Sequence, residues 1–229
     1  METKVTVKKA FINSLPVMAG YICLGIGFGI LLENSGYSFW WAILMSTIIY
    51  AGSMQYVAID LLSGGATLIA TALMTLMVNA RHLFYGISML ETYKDVGKLK
   101  PLLAHTLTDE TYSLLCTPEL IPEEVDKKKY YVILSLMNQS YWILGSFLGA
   151  VLGAALSFNS TGIEFAMTSL FVMIFIEQWE NSKDHKPAIT GVVCTLACLI
   201  IFGKGSFLIP SMICITIALL LIRRRVRND

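Results

Sequence analysis

Long apolar runs alternate with short polar stretches along the chain. They lie near Phe11–Leu32, Trp40–Leu62, Ala66–Leu90, Tyr130–Ser157, Ile163–Trp179, Pro187–Phe202 and Phe207–Ile222, the fifth and sixth being short. A helix needs roughly 20 apolar residues to cross the hydrocarbon of a bilayer. Inside lipid a helix also satisfies its own backbone N–H and C=O groups. The pattern therefore predicts an all-α polytopic membrane protein with about seven transmembrane helices, forming a single domain over residues 1–229. Lys8 and Lys9 precede a first run that is too long and glycine-rich for a cleaved signal peptide, so it is expected to remain as a membrane helix.

Composition agrees with this pattern. Of 229 residues 55% are hydrophobic and 14% charged, and the mean hydropathy is +0.66. Soluble domains carry about 25% charged residues. The net charge of +1 matters less than where the cations fall. With seven crossings, one side of the membrane receives Lys4, Lys8, Lys9 and Lys204. The other receives the Lys residues of 91–129, Lys183, Lys186 and the terminal Arg223–Arg227, twelve cations against four. Positively charged loops stay in the cytoplasm. The C-terminus is therefore expected on the cytoplasmic side and the N-terminus outside. Lys8 and Lys9, beside the first helix, run against the count, as does the cation-free stretch Glu33–Phe39; if one segment does not fully cross, the N-terminus lies inside instead.

Two stretches echo each other. Gly36-Tyr37-Ser38-Phe39 precedes the second run and Gly162-Ile163-Glu164-Phe165 the fifth; Met54-Gln55-Tyr56 echoes Glu177-Gln178-Trp179. Three crossings separate the two units, so they would face opposite ways, a plan common among secondary transporters. The expected organisation is repeat 1 at about 11–90, a cytoplasmic loop at 91–129, repeat 2 at about 130–203 and a final helix at about 207–222. Gly145-x-x-x-Gly149-x-x-x-Gly153 lines one helix face and permits close approach of a second backbone, either within the bundle or on a partner chain.

Polar groups in such runs are costly and tend to face the bundle interior. Ser53, Gln55 and Tyr56 in the second run, Asn79 and Arg81 in the third, and Gln178 in the fifth are the candidate substrate-binding residues. Gly52-Ser53 is a candidate helix break that would free backbone groups for a ligand. Arg81 offers a planar donor fork suited to a carboxylate; the alternative is that it snorkels to the boundary. His82 titrates near neutral pH, and with Asp109 and Glu110 of the central loop it forms the candidate coupling or gating set. Thr108 also suits a helix N-cap with acids in the first turn, which by itself accounts for Thr108-Asp109-Glu110. Asp60 reads as an interfacial residue. Asn138, Gln139, Ser140 and Tyr141 are further polar groups at the start of the fourth helix.

The chain lacks a Gly-x-x-x-x-Gly-Lys-Ser/Thr phosphate loop and a His-Glu-x-x-His metal motif, so neither ATP-driven transport nor zinc hydrolysis is indicated. The five cysteines contain no Cys-x-x-Cys pair, and small apolar packing accounts for them. No cofactor, metal or nucleic-acid partner is expected. A secondary transporter for a small zwitterion is the leading reading. A channel formed by oligomerisation, or a membrane enzyme, are the alternatives.

Gly52-Ser53-Met54-Gln55-Tyr56, Asn79-Ala80-Arg81-His82, Thr108-Asp109-Glu110 and Phe165-Ala166-Met167-Thr168-Ser169-Leu170-Phe171 occur in this order. With Leu15-Pro16 and the glycine-rich first helix, the chain over nearly its whole length resembles the AzlC/YgaZ family, the large subunit of bacterial branched-chain amino acid exporters. The resemblance implies export of leucine, isoleucine, valine or related amino acids. It also implies work with a small hydrophobic membrane partner of the AzlD/YgaH type. Azaleucine resistance is the trait behind the family name. Met54 and Tyr56 stand where the family is expected to carry a smaller residue and often Phe. Export needs a gradient, and proton coupling is the expectation.

Overall fold

In the computed structural model, residues 2–116, 121, 125–155, 165, 169, 172, 175–176, 179–180, 184–203 and 207–226 are described. Every regular element among them is helical. The chain divides into two compact units, Met1–Met167 and Thr168–Asp229.

In the first unit α1 runs over Glu2–Asn34. At 1.5 Å per residue its 33 residues reach about 50 Å, longer than the ~30 Å hydrocarbon layer. It ends in a Schellman motif. Gly36 takes φ 87°, the Tyr37 N–H reaches the Leu32 carbonyl at 3.2 Å, and the Gly36 N–H reaches Glu33 at 2.9 Å. The second apolar run is not one helix. It forms α2, Phe39–Ile48, and α3, Gly52–Ser63, with a break between them. The α4 helix, Leu68–Ser88, starts at Thr67, whose hydroxyl accepts the Ala70 N–H at 3.3 Å.

The central stretch is folded rather than a bare loop. It holds a 3-10 helix at Lys94–Leu99, then α5, Lys100–His105, and α6, Asp109–Cys116. Thr108 caps α6, accepting the Thr111 N–H at 3.3 Å, so the sequence-based N-cap is present. The α7 helix, Lys127–Ala155, starts at Asp126, whose Oδ1 accepts the N–H groups of Lys128 and Lys129 at 3.0 and 3.3 Å. The Lys129 N–H foremost, with the Lys129 ammonium and the Lys128 N–H, holds the Asp126 carboxyl below its ordinary range. The sequence alone offered no partner for the apolar residues of 91–129. The structure gives Tyr93, Val96, Leu103, Leu107 and Leu115 a shared core with Tyr130, Tyr131 and Leu134 of α7.

A second core joins Tyr21 and Phe28 of α1 to Met45, Tyr50, Tyr56 and Trp142. Here α1 and α7 cross at their glycines. A Cβ on Gly25 would lie 2.9 Å from the Ser146 N, and one on Gly145 would lie 2.8 Å from the Ile22 carbonyl oxygen. Added Cβ atoms on Gly29 and Gly149 would overlap the facing backbones outright. The spaced glycines of α7 therefore serve packing within the chain.

The second unit contains α8, Lys186–Phe202, and α9, Leu208–Val226, packed on each other. Gly203, with φ 70°, ends α8. By length and composition, two of the described helices pass as membrane spans outright, within Lys4–Asn34 and Leu68–Ser88. Most of the fifth apolar run lies outside the described residues.

Candidate functional site

The break between α2 and α3 organises the polar groups. Tyr50, at the break, takes φ 42°, a left-handed conformation that costs a non-glycine residue ~1–2 kcal/mol. Burial of its ring to 3% exposure in the second core holds it there. Gly52 begins α3 because a Cβ would come within 3.0 Å of the Trp142 ring. Both free ends of the broken helix meet side chains. Near the end of α2, the Thr47 carbonyl receives Gln139 Nε2 at 3.2 Å and His105 Nε2 at 3.1 Å. At the start of α3, where the first N–H groups have no intrahelical acceptor, Ser53 faces Arg81.

Arg81 of α4 ties three elements together. Its Nη2 donates to Ser53 Oγ at 2.5 Å, and its Nη1 meets Asp109 Oδ2 of α6 at 2.7 Å. The two charged side chains are 28% and 25% exposed, so the pair is shielded without being sealed. Among the described residues Arg81 Nε and Asp109 Oδ1 are buried with no hydrogen bond of 3.5 Å or less, and the Tyr85 hydroxyl also lies beside the Asp109 carboxylate. Arg81 thus spans to α3 and α6 in place of reaching freely to a boundary. Asn79 Oδ1, on α4, is likewise buried and unpartnered. His82 Nδ1 contacts only the Asn79 carbonyl of its own helix, at 3.2 Å, while its ring lies edge-on to Tyr85. Tyr85 stacks on Tyr112 with centroids 4.6 Å apart, a second tie between α4 and α6.

Glu110 follows Asp109 but has different neighbours. Its Oε2 accepts the Tyr21 hydroxyl of α1 at 2.6 Å, and none of the ion pairs among the described residues includes it. Tyr21 is also 2.6 Å from Thr108 Oγ1, which leads to Thr111 and then to Asn138 Nδ2 of α7.

Gln55 and Tyr56 are engaged elsewhere. Trp142 Nε1 donates to Gln55 Oε1 at 2.9 Å. Gln55 Nε2 donates to Ser46 Oγ at 3.2 Å, Ser46 donates to Ser146 at 2.9 Å, and Ser146 returns to the Trp142 carbonyl at 2.8 Å. This is a closed, buried ring of hydrogen bonds that braces α2, α3 and α7. Tyr56 donates to the Leu24 carbonyl at 2.7 Å and packs edge-on to Phe28, tying α3 to α1. Of the sequence-derived candidates, Ser53, Arg81 and Asp109 come together. Glu110 lies on the adjoining turn, Asn79 and His82 lie on α4 beside Arg81, and Gln178 falls outside the described residues. Sequence reading missed Tyr21 and Trp142. Each is a polar-tipped aromatic within an apolar run, which is the residue type that needs a partner once buried.

A family model described as AzlC protein matches residues 16–156, more than half of the chain. The branched-chain amino acid transport protein AzlC of Bacillus subtilis (strain 168) is 42% identical over 217 residues, covering 95% of this chain and 85% of that protein. An uncharacterized membrane protein of Helicobacter pylori is 41% identical over 220 residues, 96% of each chain. The inner membrane protein YgaZ of Escherichia coli (strain K12) is 28% identical over 206 residues, 88% of this chain and 82% of its own. No solved structure matches. The matched span takes in the helix break, Arg81, Asp109 and Glu110, and the chain belongs to the AzlC family.

Proposed function

We propose that this chain is a secondary transporter that exports branched-chain or similar small apolar amino acids across the cytoplasmic membrane. The observation that carries this reading is the ion pair at the helix break. Arg81 Nε is a spare donor and Asp109 Oδ1 a spare acceptor, both buried, on a pair that Arg81 Nη2 joins to Ser53 in the first turn of α3. A zwitterion matches that pair. Its carboxylate takes the Arg81 fork and the α3 N-terminus, and its ammonium takes Asp109, with Asn79 Oδ1 a further acceptor on α4. Ser53 orients the fork. Gln55 and Tyr56 hold the break open and contribute to substrate contact only through the shape they impose. Gln178 is the matching candidate in the second repeat.

The wider arrangement in this proposal is seven crossings, built as two inverted three-helix repeats and a final helix, with the C-terminus cytoplasmic. The cation count supports the orientation, and the echoed Gly-Tyr-Ser-Phe and Gly-Ile-Glu-Phe stretches support the repeats. A helix broken near its middle suits the transporter plan, in which half-helix ends meet the substrate. A small AzlD/YgaH-type membrane subunit completes the exporter, on the strength of the family membership.

Proteoliposomes loaded with labelled leucine, with and without the small subunit, test this directly. Efflux that saturates and shows counterflow marks a carrier, whereas non-saturating flux marks a channel. Arg81→Ala is expected to reduce leucine export about 10- to 100-fold, the range for losing a charged hydrogen-bonded contact. Arg81→Lys is expected to recover only part of it, because an ammonium cannot reproduce the fork. Normal export by both variants would remove Arg81 from the substrate path.

A further inference from the structure

Three groups near the break are able to titrate, and the structure separates them. Among the described residues the His82 ring nitrogens hydrogen-bond a carbonyl of its own helix, and the ring lies edge-on to Tyr85. Asp109 is charge-paired to Arg81 at 2.7 Å. Among the described residues Glu110 has no cation partner; its carboxylate meets the Tyr21 hydroxyl, Thr108 and its own backbone N–H. The groups facing it are Tyr21 from α1, Thr108 and Asp109 on its own side, Tyr50 from the break and Tyr85 from α4, with Arg81 lying beyond Asp109. The Tyr50 hydroxyl, on a residue 3% exposed, is buried within reach of Tyr21 and Thr108, with no hydrogen bond of 3.5 Å or less among the described residues.

Counting hydrogens gives the settings this arrangement allows. Thr108 donates to Thr111 Oγ1 at 3.1 Å, which commits its only hydroxyl hydrogen. Tyr21 also has one hydrogen, and two oxygens, Thr108 Oγ1 and Glu110 Oε2, lie 2.6 Å away. If Glu110 is ionised, Tyr21 donates to it and the contact with Thr108 has no hydrogen. If Glu110 is protonated, it donates to Tyr21, Tyr21 donates to Thr108, and each contact holds one. The alternative for the charged state is for the row of hydroxyls to reverse, with Thr111 donating to Thr108 and Thr108 to Tyr21. The cluster is thus a hydrogen-bond relay with two settings, selected by one proton on Glu110.

Resting on the exporter reading above, we propose that Glu110 is the group that binds and releases the driving proton, and that Tyr21 and Thr108 position it. The chemical step is uptake of a proton by the Glu110 carboxylate, forming an O–H bond at Oε2, and its later return to water on the opposite side. Asp109 Oδ2 keeps its contact with Arg81 Nη1 in this step. Substrate and proton therefore occupy neighbouring sites on one short turn, Thr108–Glu110, so movement of that turn couples them.

Two measurements on the full-length reconstituted protein test the proposal. The first is independent of transport. Infrared difference spectra across a pH titration are expected to show a protonated-carboxyl band that Glu110→Gln abolishes. Tyr21→Phe removes a donor to the carboxylate, so the band's midpoint is expected to move to higher pH; a purely structural Tyr21 would leave it in place. A wild-type spectrum equal to that of Glu110→Gln would overturn the proposal. The second compares leucine flux driven by a pH gradient with leucine exchange at equal pH on both sides. Glu110→Gln is expected to lose the driven flux and keep the exchange. Retained driven flux would overturn the proton role. Loss of exchange in a variant of unchanged melting temperature would also do so, by assigning Glu110 to the substrate. Wild-type protein that exchanges no amino acid would sink the exporter reading instead, while the infrared experiment would still decide the protonation of Glu110.

Discussion

Helices α4 and α7 are both long and apolar, yet they are held in different ways. Eleven residues of α7 are buried, and its glycines meet the α1 backbone directly. None of the 21 residues of α4 is buried, and Leu83, Phe84 and Ile87 are more than 60% exposed. What fastens α4 is polar and aromatic: Arg81 to Ser53 and Asp109, and Tyr85 on Tyr112. A helix packed by glycines has one position, because backbones in contact leave no slack. A helix held by an ion pair and a ring stack is released when those contacts are exchanged for others. The first is suited to a scaffold, the second to a part that a ligand moves.

Substitutions that attack each attachment would break or sharpen this contrast. The largest effect is expected from Gly149→Leu, where even a Cβ overlaps Ile26. Overpacking at such a site should cost at least about 3 kcal/mol, seen as loss of monodisperse protein and a lower melting temperature in detergent. Next comes Arg81→Ala, which leaves Asp109 without its cation. It is expected to raise amide hydrogen exchange in α4 and α6 about tenfold or more while leaving α1 and α7 protected. Equal exchange in all four would erase the distinction. Trp142→Phe opens the ring of hydrogen bonds and strands Gln55 Oε1. A loss of about 1–2 kcal/mol is expected, read from the same melting curves. Smallest is Tyr50→Phe, which removes a buried hydroxyl with no hydrogen bond of 3.5 Å or less among the described residues. Stability should stay within about 0.5 kcal/mol or rise slightly.

The helices were legible because they follow from local rules. Apolar runs predict α1, α4, α7, α9 and, from a shorter run, α8, and Thr108 announces the start of α6. The break in the second run was flagged by Gly52-Ser53, but the bend itself sits at Tyr50, an aromatic that local preference would not put at φ 42°. Tertiary burial decides that position. The folding of 91–129 was hidden for a related reason: its helices are short, and their apolar residues only make sense beside Tyr130 and Leu134. At the site, the sequence picked out Arg81, Ser53, Asp109 and Glu110 by residue type, but it could not show that Gln55 meets Trp142 or that Tyr56 meets the Leu24 carbonyl.

The sequence by itself determined that the chain is helical and apolar enough for a membrane, since helix length and hydropathy depend on neighbouring residues. It also fixed the family, through ordered motifs along one line. Only the tertiary structure decided that Arg81 pairs with Asp109, that Glu110 faces Tyr21, and that Gln55 closes a ring with Trp142. Those partners lie 28 to 89 residues apart. A buried polar group takes whichever partner the packing of backbones brings within about 3 Å, and α1 and α7 reach that packing only where glycine lets them touch.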